Sequence, residues 1–543
     1  MAKISFLVLL VLTVMALPAT VFGQDNYFFV EFKDKAGNGF STEQPEAFLS
    51  AKAITRRSNQ GIAIFEQDMP ITQAYKSTIS NQGIAVFESS KWFNGLIIKC
   101  TQSEAEQLKS LPFVVSVAYL APNNYAGRRS GINDSLAIDD APTDTLFQNE
   151  ILNVKEMHSQ GYLGSGILIA VLDGGFVNVD NLSAFGHLYA QSKLNYSYDF
   201  VSKTADVYQY SDHGTKVLSF MAAQLPNTYQ GIAPEANYML FVTENVPSEY
   251  RIEEYYWLIA AERADSAGVD IISTSLGYST FDDPQMNYTQ DEMDGNTTVV
   301  ARAAHIASEK GIVVVASAGN EGNKSWGIIA SPADIRNGLA VGSINTNFAR
   351  SSFSSLGPSG DGRIKPDVVA MGSAAFLVNQ SGVVAQGSGT SFSAPQVTGL
   401  LAGIWQAYPN FSASELINAV RNSSTNAVAP DDEIGFGIPS FIALNNYLES
   451  EASTQPVLVY PNPVVAQALL KVKIVNPSKT NQAKFELLEP SGKKISSNLY
   501  AVSWSNNIAS IQMQHLSQGL YFLNVVFESD NKPETYKVRI VKL

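Results

Sequence analysis

The sequence predicts an α/β protein built on a doubly wound parallel sheet, with a small α+β unit before it and an all-β sandwich after it. Three observations carry this. From Ile151 to about Leu448, short apolar runs rich in β-branched residues alternate with amphipathic stretches, the pattern of strands covered on both faces by helices. Before Ala121 there are only a few strand-like runs and one short helical one, and after Val457 the strands alternate with little helical periodicity, punctuated by Pro461, Pro463 and Gly519. The 543 residues are too many for one ordinary domain, and roughly two to four units are expected.

In chain order, residues 1–23 read as an export signal: Met1-Ala2-Lys3, an apolar run from Ile4 to Leu17, then small residues near Ala19 and Gly23. The run is shorter than the roughly 20 residues a membrane span needs; an anchor is the alternative. Cleavage after Gly23 leaves Gln24 first. Residues 24–121 form the small α+β unit, with strands at Tyr27–Phe32, Trp92–Cys100 and Val114–Leu120 and a helix at Ser103–Leu111. Residues 122–150 have linker composition, rich in Asp, Asn and Thr, with Arg128 and Arg129 adjacent, and such a stretch is exposed and easily cut.

Residues 151–448 are the main domain. Strands are expected at Ile167–Leu172, Tyr238–Val242, Val269–Thr274, Ile312–Ala316 and Leu339–Ile344, and helices at Glu249–Ala267 and Thr298–Lys310, stopped by Gly268 and Gly311. In that architecture sites gather at the carboxyl ends of strands. A polar link at 449–456 leads to the sandwich at 457–543.

Composition narrows the function. Lys plus Arg number 36 against 50 Asp plus Glu, a net charge of -14, with no basic block; nucleic acid is repelled and is not an expected partner. Cys100 is the only cysteine, so there is no intramolecular disulfide and no set for a Cys-rich zinc site. A large exported domain does without disulfides, because its core is sufficient.

The chemistry starts at Gly387-Ser388-Gly389-Thr390-Ser391-Phe392-Ser393-Ala394-Pro395. Val397, Leu400, Leu401 and Ile404 follow at helical spacing, so a helix starts near Ser391, and Pro395 fits only its first turn. A serine there offers an exposed hydroxyl and a backbone N–H at the positive helix end, or it merely caps the helix. A serine needs a base, and there are five His. His158 lies in a linker-like segment, His187 in a loop, His305 on an Ala-rich helix and His515 in the sandwich, whereas His213 heads the apolar pattern Val217, Leu218, Phe220, Met221. The bland alternative is an exposed loop His.

The base needs an orienting carboxylate. Asp173 ends the run Ile167–Leu172, where a buried acid is costly without a partner such as imidazolium; otherwise it caps a turn. Asn320 sits past the tip of Ile312–Ala316. Its amide with the Ser391 N–H makes a two-donor hole for an oxyanion, unless it is a turn residue. The order acid, base, amide, nucleophile differs from the esterase-type α/β order, in which the nucleophile comes first.

These segments resemble a subtilisin-like serine peptidase (subtilase). The likeness rests on Ile169–Gly175, His213-Gly214-Thr215, Gly231-Ile232-Ala233-Pro234, Ser275-Leu276-Gly277, Ser317–Gly322, Lys365-Pro366-Asp367 and Gly389–Pro395. It implies a subtilisin-like fold and an endopeptidase in which Asp173 orients, His213 is base then acid, Ser391 attacks and Asn320 stabilises the oxyanion. It also implies that Ser275, Leu276 and Gly277 line the primary specificity pocket and bind substrate backbone. Four places depart from the family pattern: Gly174 stands where Ser or Thr often follows the acid, Lys216 where His is common, and Phe392-Ser393 where Met-Ala is more usual, while Phe281 to Asn296 is a long insertion able to reshape or cover the cleft. Subtilases often bind calcium, but no acidic loop spacing identifies a site; no cofactor is expected.

The unit before the linker resembles a subtilase propeptide, which implies an intramolecular inhibitor and folding aid. The tail resembles the C-terminal sorting domain of type IX secretion cargo, through Val459-Tyr460-Pro461-Asn462-Pro463, Leu487–Gly492, Gly519-Leu520-Tyr521 and Lys537–Leu543. That implies export through the periplasm to the medium or cell surface, with the secretion machinery as partner; a generic carbohydrate- or surface-binding sandwich is the alternative. Protein or peptide substrates are the other expected partners. A catalytically silent adhesion protein on the same fold is the competing reading, and it fits poorly because all four catalytic positions are filled.

Overall fold

A computed structural model describes residues 24–125, 147–454, 457–460, 464, 469–475, 483–505, 507–528 and 533–542. The export signal, the Arg128-Arg129 pair and Pro461-Asn462-Pro463 lie outside the described residues.

The first unit comprises β1 (Asn26–Phe32), α1 (Ala51–Gln60), α2 (Gln73–Ser80), β2 (Ala85–Ser90), β3 (Gly95–Cys100), α3 (Gln102–Leu108) and β4 (Val114–Pro122). Its strands form one antiparallel sheet in the order β2-β3-β1-β4. Alternation along β1 splits the burial. Phe28 and Val30 pack with Ile79, Ala105 and Leu108 of the unit's own helices, whereas Tyr27 and Phe29 join a core that belongs to the next domain.

That domain runs through α4 (Phe147–Ile151), α5 (Val154–Ser159), β5 (Leu168–Asp173), α6 (Gly186–Ala190), β6 (Leu194–Asp199), α7 (His213–Ala222), the small hairpin β7 (Gln224–Leu225) and β8 (Tyr229–Gln230), and β9 (Asn237–Val242). It continues through α8 (Ile252–Ala267), β10 (Ile271–Thr274), α9 (Val299–Glu309), β11 (Val313–Ser317), β12 (Leu339–Ile344), β13 (Val368–Met371), the hairpin β14 (Ala375–Val378) and β15 (Val384–Gly387), α10 (Thr390–Ala407), α11 (Ala413–Ser423) and α12 (Phe441–Thr454). Seven strands form one parallel sheet, in the order β13-β12-β11-β10-β5-β9-β6. In β5, Ile169 and Val171 face the core with Val217, Leu218 and Leu400, while Leu168, Ala170 and Leu172 face the core with α8 and α9. A strand buried on both faces is why the sequence there is continuously apolar.

From β5 the chain steps out to β6, returns through β9 and crosses to β10 on the other side. The order therefore reverses at β5, and the crevice at such a switch point lies at the carboxyl ends of the strands. Asp173, Thr274 and Ser317 are the last residues of β5, β10 and β11.

The C-terminal sandwich packs β16 (Val457–Tyr460), β17 (Leu469–Ile474), β19 (Val502–Ser505) and β20 (Ile508–Gln512) against β18 (Ala483–Leu488), β21 (Gly519–Phe527) and β22 (Glu534–Lys542). Leu470, Val472 and Ile511 of one sheet share a core with Leu487, Leu523 and Ile540 of the other.

Three local expectations need correction. His158 is not in a linker-like segment but in α5, its Nε2 2.8 Å from the Ile232 carbonyl, and His187 lies in α6 rather than a loop. Both neighbourhoods are helical because apolar residues beside them, Met157 and Leu188, are buried in the main core. Pro395 is the sixth residue of α10, beyond its first turn.

Candidate active site

At the end of β5, Asp173 is 1% exposed. One carboxylate oxygen accepts the Gly174 backbone N–H at 2.7 Å, and the two oxygens lie 2.9 and 3.0 Å from Nδ1 of His213. The place where a hydroxyl side chain often follows the acid is closed to one, since a Cβ on Gly174 would sit 2.9 Å from Val246 Cγ2. His213 opens α7, and its backbone N–H donates to Ser211 Oγ at 3.1 Å. Lys216, where a His is common, is buried and pairs with Asp212 at 3.0 Å. That pair pins the first turn of the helix carrying the imidazole.

Ser391 is the second residue of α10 and is 8% exposed. The helix tolerates Pro395 for a specific reason. Proline has no N–H to give the carbonyl four residues back, which is that of Ser391; the Ser275 hydroxyl donates to this carbonyl instead, at 2.9 Å. The Ser391 hydroxyl in turn reaches the Ser275 carbonyl at 3.4 Å. The segment just after β10 is thereby stitched to the start of α10.

Asn320 lies three residues past the end of β11. Its Oδ1 accepts from both the backbone N–H and the hydroxyl of Thr390, each at 3.0 Å. Two donors on one end of the amide identify that end as oxygen and leave Nδ2 for another acceptor. A Cβ on Gly389 would lie 3.7 Å from that Nδ2 and 3.8 Å from the Ser391 backbone N. The open space at Gly389 is therefore overlooked by both donors. Thr390 stands inside a motif that sequence reasoning singled out, yet its role there depends on a partner 70 residues away.

Ser275 is buried, Leu276 half-buried and Gly277 exposed, so the three descend from the core to the surface of the crevice. Gly277 has little room for a side chain, as its Cβ would meet that of Ala330 at 3.2 Å. Beside them, Tyr278 donates its hydroxyl to Glu244 at 2.5 Å. Glu244, Glu249 and Glu253 bring carboxylate oxygens within 4.8 Å of one another. Burial raises the pKa of all three, and repulsion from Glu244 adds to the rise at Glu249 and Glu253. Protein donors already engage this group, from Tyr278 and Thr243 on Glu244 and from the backbone of Asn245 and Tyr250 on Glu253.

The insertion from Phe281 to Asn296 builds this wall of the domain. Phe281, Met286, Tyr288 and Met293 are buried with α8 and α9, and Arg251 lies 4.4 Å over the Tyr288 ring while donating to the Met286 carbonyl. The last described residue of the first unit, Tyr125, ends nearby: its carbonyl accepts from Asn245 Nδ2 at 2.6 Å and its hydroxyl lies 3.0 Å from that of Tyr256.

Three family models match successive segments of the chain. A family model described as the subtilase family matches residues 164–437, one described as the Peptidase S8 propeptide domain of Bacteroidota matches 27–136, and one described as a secretion system C-terminal sorting domain matches 458–542. Subtilisin NAT of Bacillus subtilis subsp. natto is 28% identical over 387 residues, 69% of this chain and 88% of its own. A subtilisin of Bacillus pumilus is 30% identical over 275 residues, 50% of this chain and 87% of its own. Of solved structures, MycP1 from Mycobacterium smegmatis is similar at 20% identity and a TM-score of 0.44, over 57% of this chain and 88% of that one. The chain thus carries a propeptide domain ahead of its peptidase domain, and a sorting domain behind it that marks a secreted or cell-surface protein. Asp173, His213, Asn320 and Ser391 all fall inside the matched peptidase segment, and the chain belongs to the subtilase family as a subtilisin-like serine endopeptidase.

Proposed function

We propose that Ser391 is the nucleophile, His213 the general base and then acid, Asp173 the carboxylate that orients it, and Asn320 with the Ser391 N–H the oxyanion hole. The observation that carries this is the bond of His213 Nδ1 to a carboxylate buried at the end of the central strand. An ionised carboxylate only accepts, so Nδ1 carries the hydrogen and Nε2 is left as the base. Nε2 takes the Ser391 proton as Oγ bonds to the scissile carbonyl carbon; the oxygen, now negative, is met by the Asn320 amide and the Ser391 N–H. The C–N bond breaks as the imidazolium returns its proton to the leaving amine. Water, deprotonated by the same imidazole, then attacks the acyl carbon; the bond to Ser391 Oγ breaks as the imidazolium returns the proton to that oxygen. Every group in this scheme is the protein's own, and no cofactor is drawn on.

Ser275, Leu276 and Gly277 are placed in this reading to line the primary specificity pocket of protein or peptide substrates. The propeptide domain acts as an intramolecular inhibitor, a role supported by Tyr125 ending on Asn245 beside the crevice. The peptidase domain spans 151–448, and the sorting domain hands the chain from the periplasm to the type IX machinery. A fluorophosphonate should label one peptide, that of Ser391. Ser391→Ala should lose hydrolysis on the order of 10⁶, as removal of the subtilisin nucleophile does, and keep its propeptide. Hydrolysis at the native rate in that variant ends the reading.

A further inference from the structure

Phe392, next to the nucleophile, has its ring confined on every side the structure describes. It is 5% exposed and packs with Phe220 on α7 and with Ala375, Leu377 and Ala385 of the β14–β15 hairpin. Gly387 leaves it just enough room, because a Cβ there would lie 2.6 Å from Phe392 Cε2. One face stacks on Phe220 at 5.6 Å and 26°, and the ring also stacks on the His213 imidazole at 6.0 Å and 30°. His213 and Phe220 are seven positions apart on α7, hence on one face of that helix. Phe392 fills the slot between them.

The bond to Asp173 anchors the imidazole at Nδ1, and the Phe392 ring lies against the imidazole at 6.0 Å and 30°. The His213 side chain is 28% exposed. We propose that Phe392 is a positioning residue for His213: its rigid ring, backed by Phe220, keeps the imidazole plane aligned with both Asp173 and Ser391 through the two proton transfers. A flat aromatic face at this distance is attractive to imidazole and more so to imidazolium. The Met that is more usual here is flexible, with three rotatable bonds and no plane to offer. The inference rests on His213 being the base.

The test uses the full chain with Phe392→Ala, Phe392→Leu, His213→Ala and a control in the core, Leu416→Ala, buried on α11. Small misplacements of a catalytic group cost up to about 100-fold. Phe392→Ala is expected to lower kcat by about tenfold to 100-fold with KM within about twofold. Phe392→Leu, which restores bulk without the plane, should recover only part of the loss. The low-field NMR signal of the His213 Nδ1 proton should broaden in Phe392→Ala and persist in Leu416→Ala at a comparable fall in Tm. If Phe392→Ala matches Leu416→Ala in kcat, KM and that signal, the ring is only packing and the proposal fails. That result beside an inactive His213→Ala would leave the catalytic reading standing, whereas an active His213→Ala would remove both.

Discussion

Two regions of the molecule bury a carboxylate against cations, and they do it in opposite ways. In the crevice, Asp173 meets a partner able to carry positive charge, His213, which in the proposed reaction gains and loses its proton. At the seam between the propeptide domain and α8, Asp265 is fully buried and meets three permanent cations. Arg57 donates to both its oxygens at 2.8 Å, Arg56 donates at 2.6 Å and Lys91 lies at 3.3 Å. Arg57 also pairs with Asp68 at 3.0 Å, and Lys310 of the peptidase domain pairs with that same carboxylate at 3.0 Å. The seam is a lattice that spreads its charge over several fixed partners; the crevice sets one carboxylate against one imidazole. A single titratable partner is what proton transfer requires, whereas several fixed partners are what a buried permanent charge requires. The lattice also divides between two domains, so separating them exposes unpaired ions to solvent rather than a large apolar face alone.

The comparison breaks most visibly at the crevice. Asp173→Asn keeps the shape but lets Nδ1 face a donor, inviting the wrong tautomer. The expected loss in kcat is on the order of 10⁴, read with a peptide substrate at saturating concentration. A loss below about tenfold would show that His213 needs no ionised partner. At the seam, Asp265→Ala in a Ser391→Ala background, where the precursor stays whole, leaves Arg56 buried without its anion and Arg57 with Asp68 alone. Breaking a buried pair from one side costs about 3–5 kcal/mol, measurable as a shift in the denaturant midpoint. Replacing all three by apolar residues of similar size should restore most of it. A cost under about 1 kcal/mol for the single change would mean that water already screens the lattice. Asn320→Ala comes next, with an expected loss in turnover of about 10²–10³ and an intact label at Ser391.

The same contrast explains what the sequence made legible. The strands β5, β9, β10, β11 and β12 stand out because burial on both faces demands continuous apolar residues, and Asp173 stands out as the charge that ends such a run. β6, Leu-Asn-Tyr-Ser-Tyr-Asp at the sheet edge, has only one neighbour and no such demand, so its sequence carries no strand signal. α1 was equally hidden. Its buried face includes Arg56 and Arg57, which read as surface residues until Asp265, 208 residues away, comes to meet them. The residues of the candidate site are legible as types at strand ends and helix starts, but not their supports. The tolerance of Pro395 depends on the Ser275 hydroxyl, and the orientation of Asn320 on Thr390, both supplied from distant segments. Periodicity reports what a segment buries; it is silent on which remote donor satisfies it.

A third carboxylate sharpens the comparison by pH. Glu254 on α8 is fully buried, and burial pushes its pKa up to about 7 although the Tyr288 hydroxyl at 2.8 Å and the Val300 N–H at 3.1 Å both donate to it. At Asp265 burial pushes the same way, but Lys91, Arg57 and Arg56 outweigh it and hold the group at about 2. The two therefore act on stability with opposite signs. The Asp265 contribution is present above its ordinary value of 3.8 and is lost as pH falls through about 2. For Glu254, the folded protein holds a proton that the unfolded chain releases above 4.5, so its stabilisation is complete below 4.5 and is lost as pH rises through about 7. The loss is on the order of 3 kcal/mol. Other buried acids share the direction, so the slope of the native protein is a sum, and the difference from Glu254→Gln isolates one member. Glutamine keeps an oxygen for Val300 and cannot ionise. Its Tm should therefore fall less than that of the native protein between pH 5 and pH 8, by several degrees for a change of this size. Parallel Tm curves for the two proteins across that window would place the ionised form of Glu254 among groups that the fold accommodates at no cost, and would erase the distinction from Asp265.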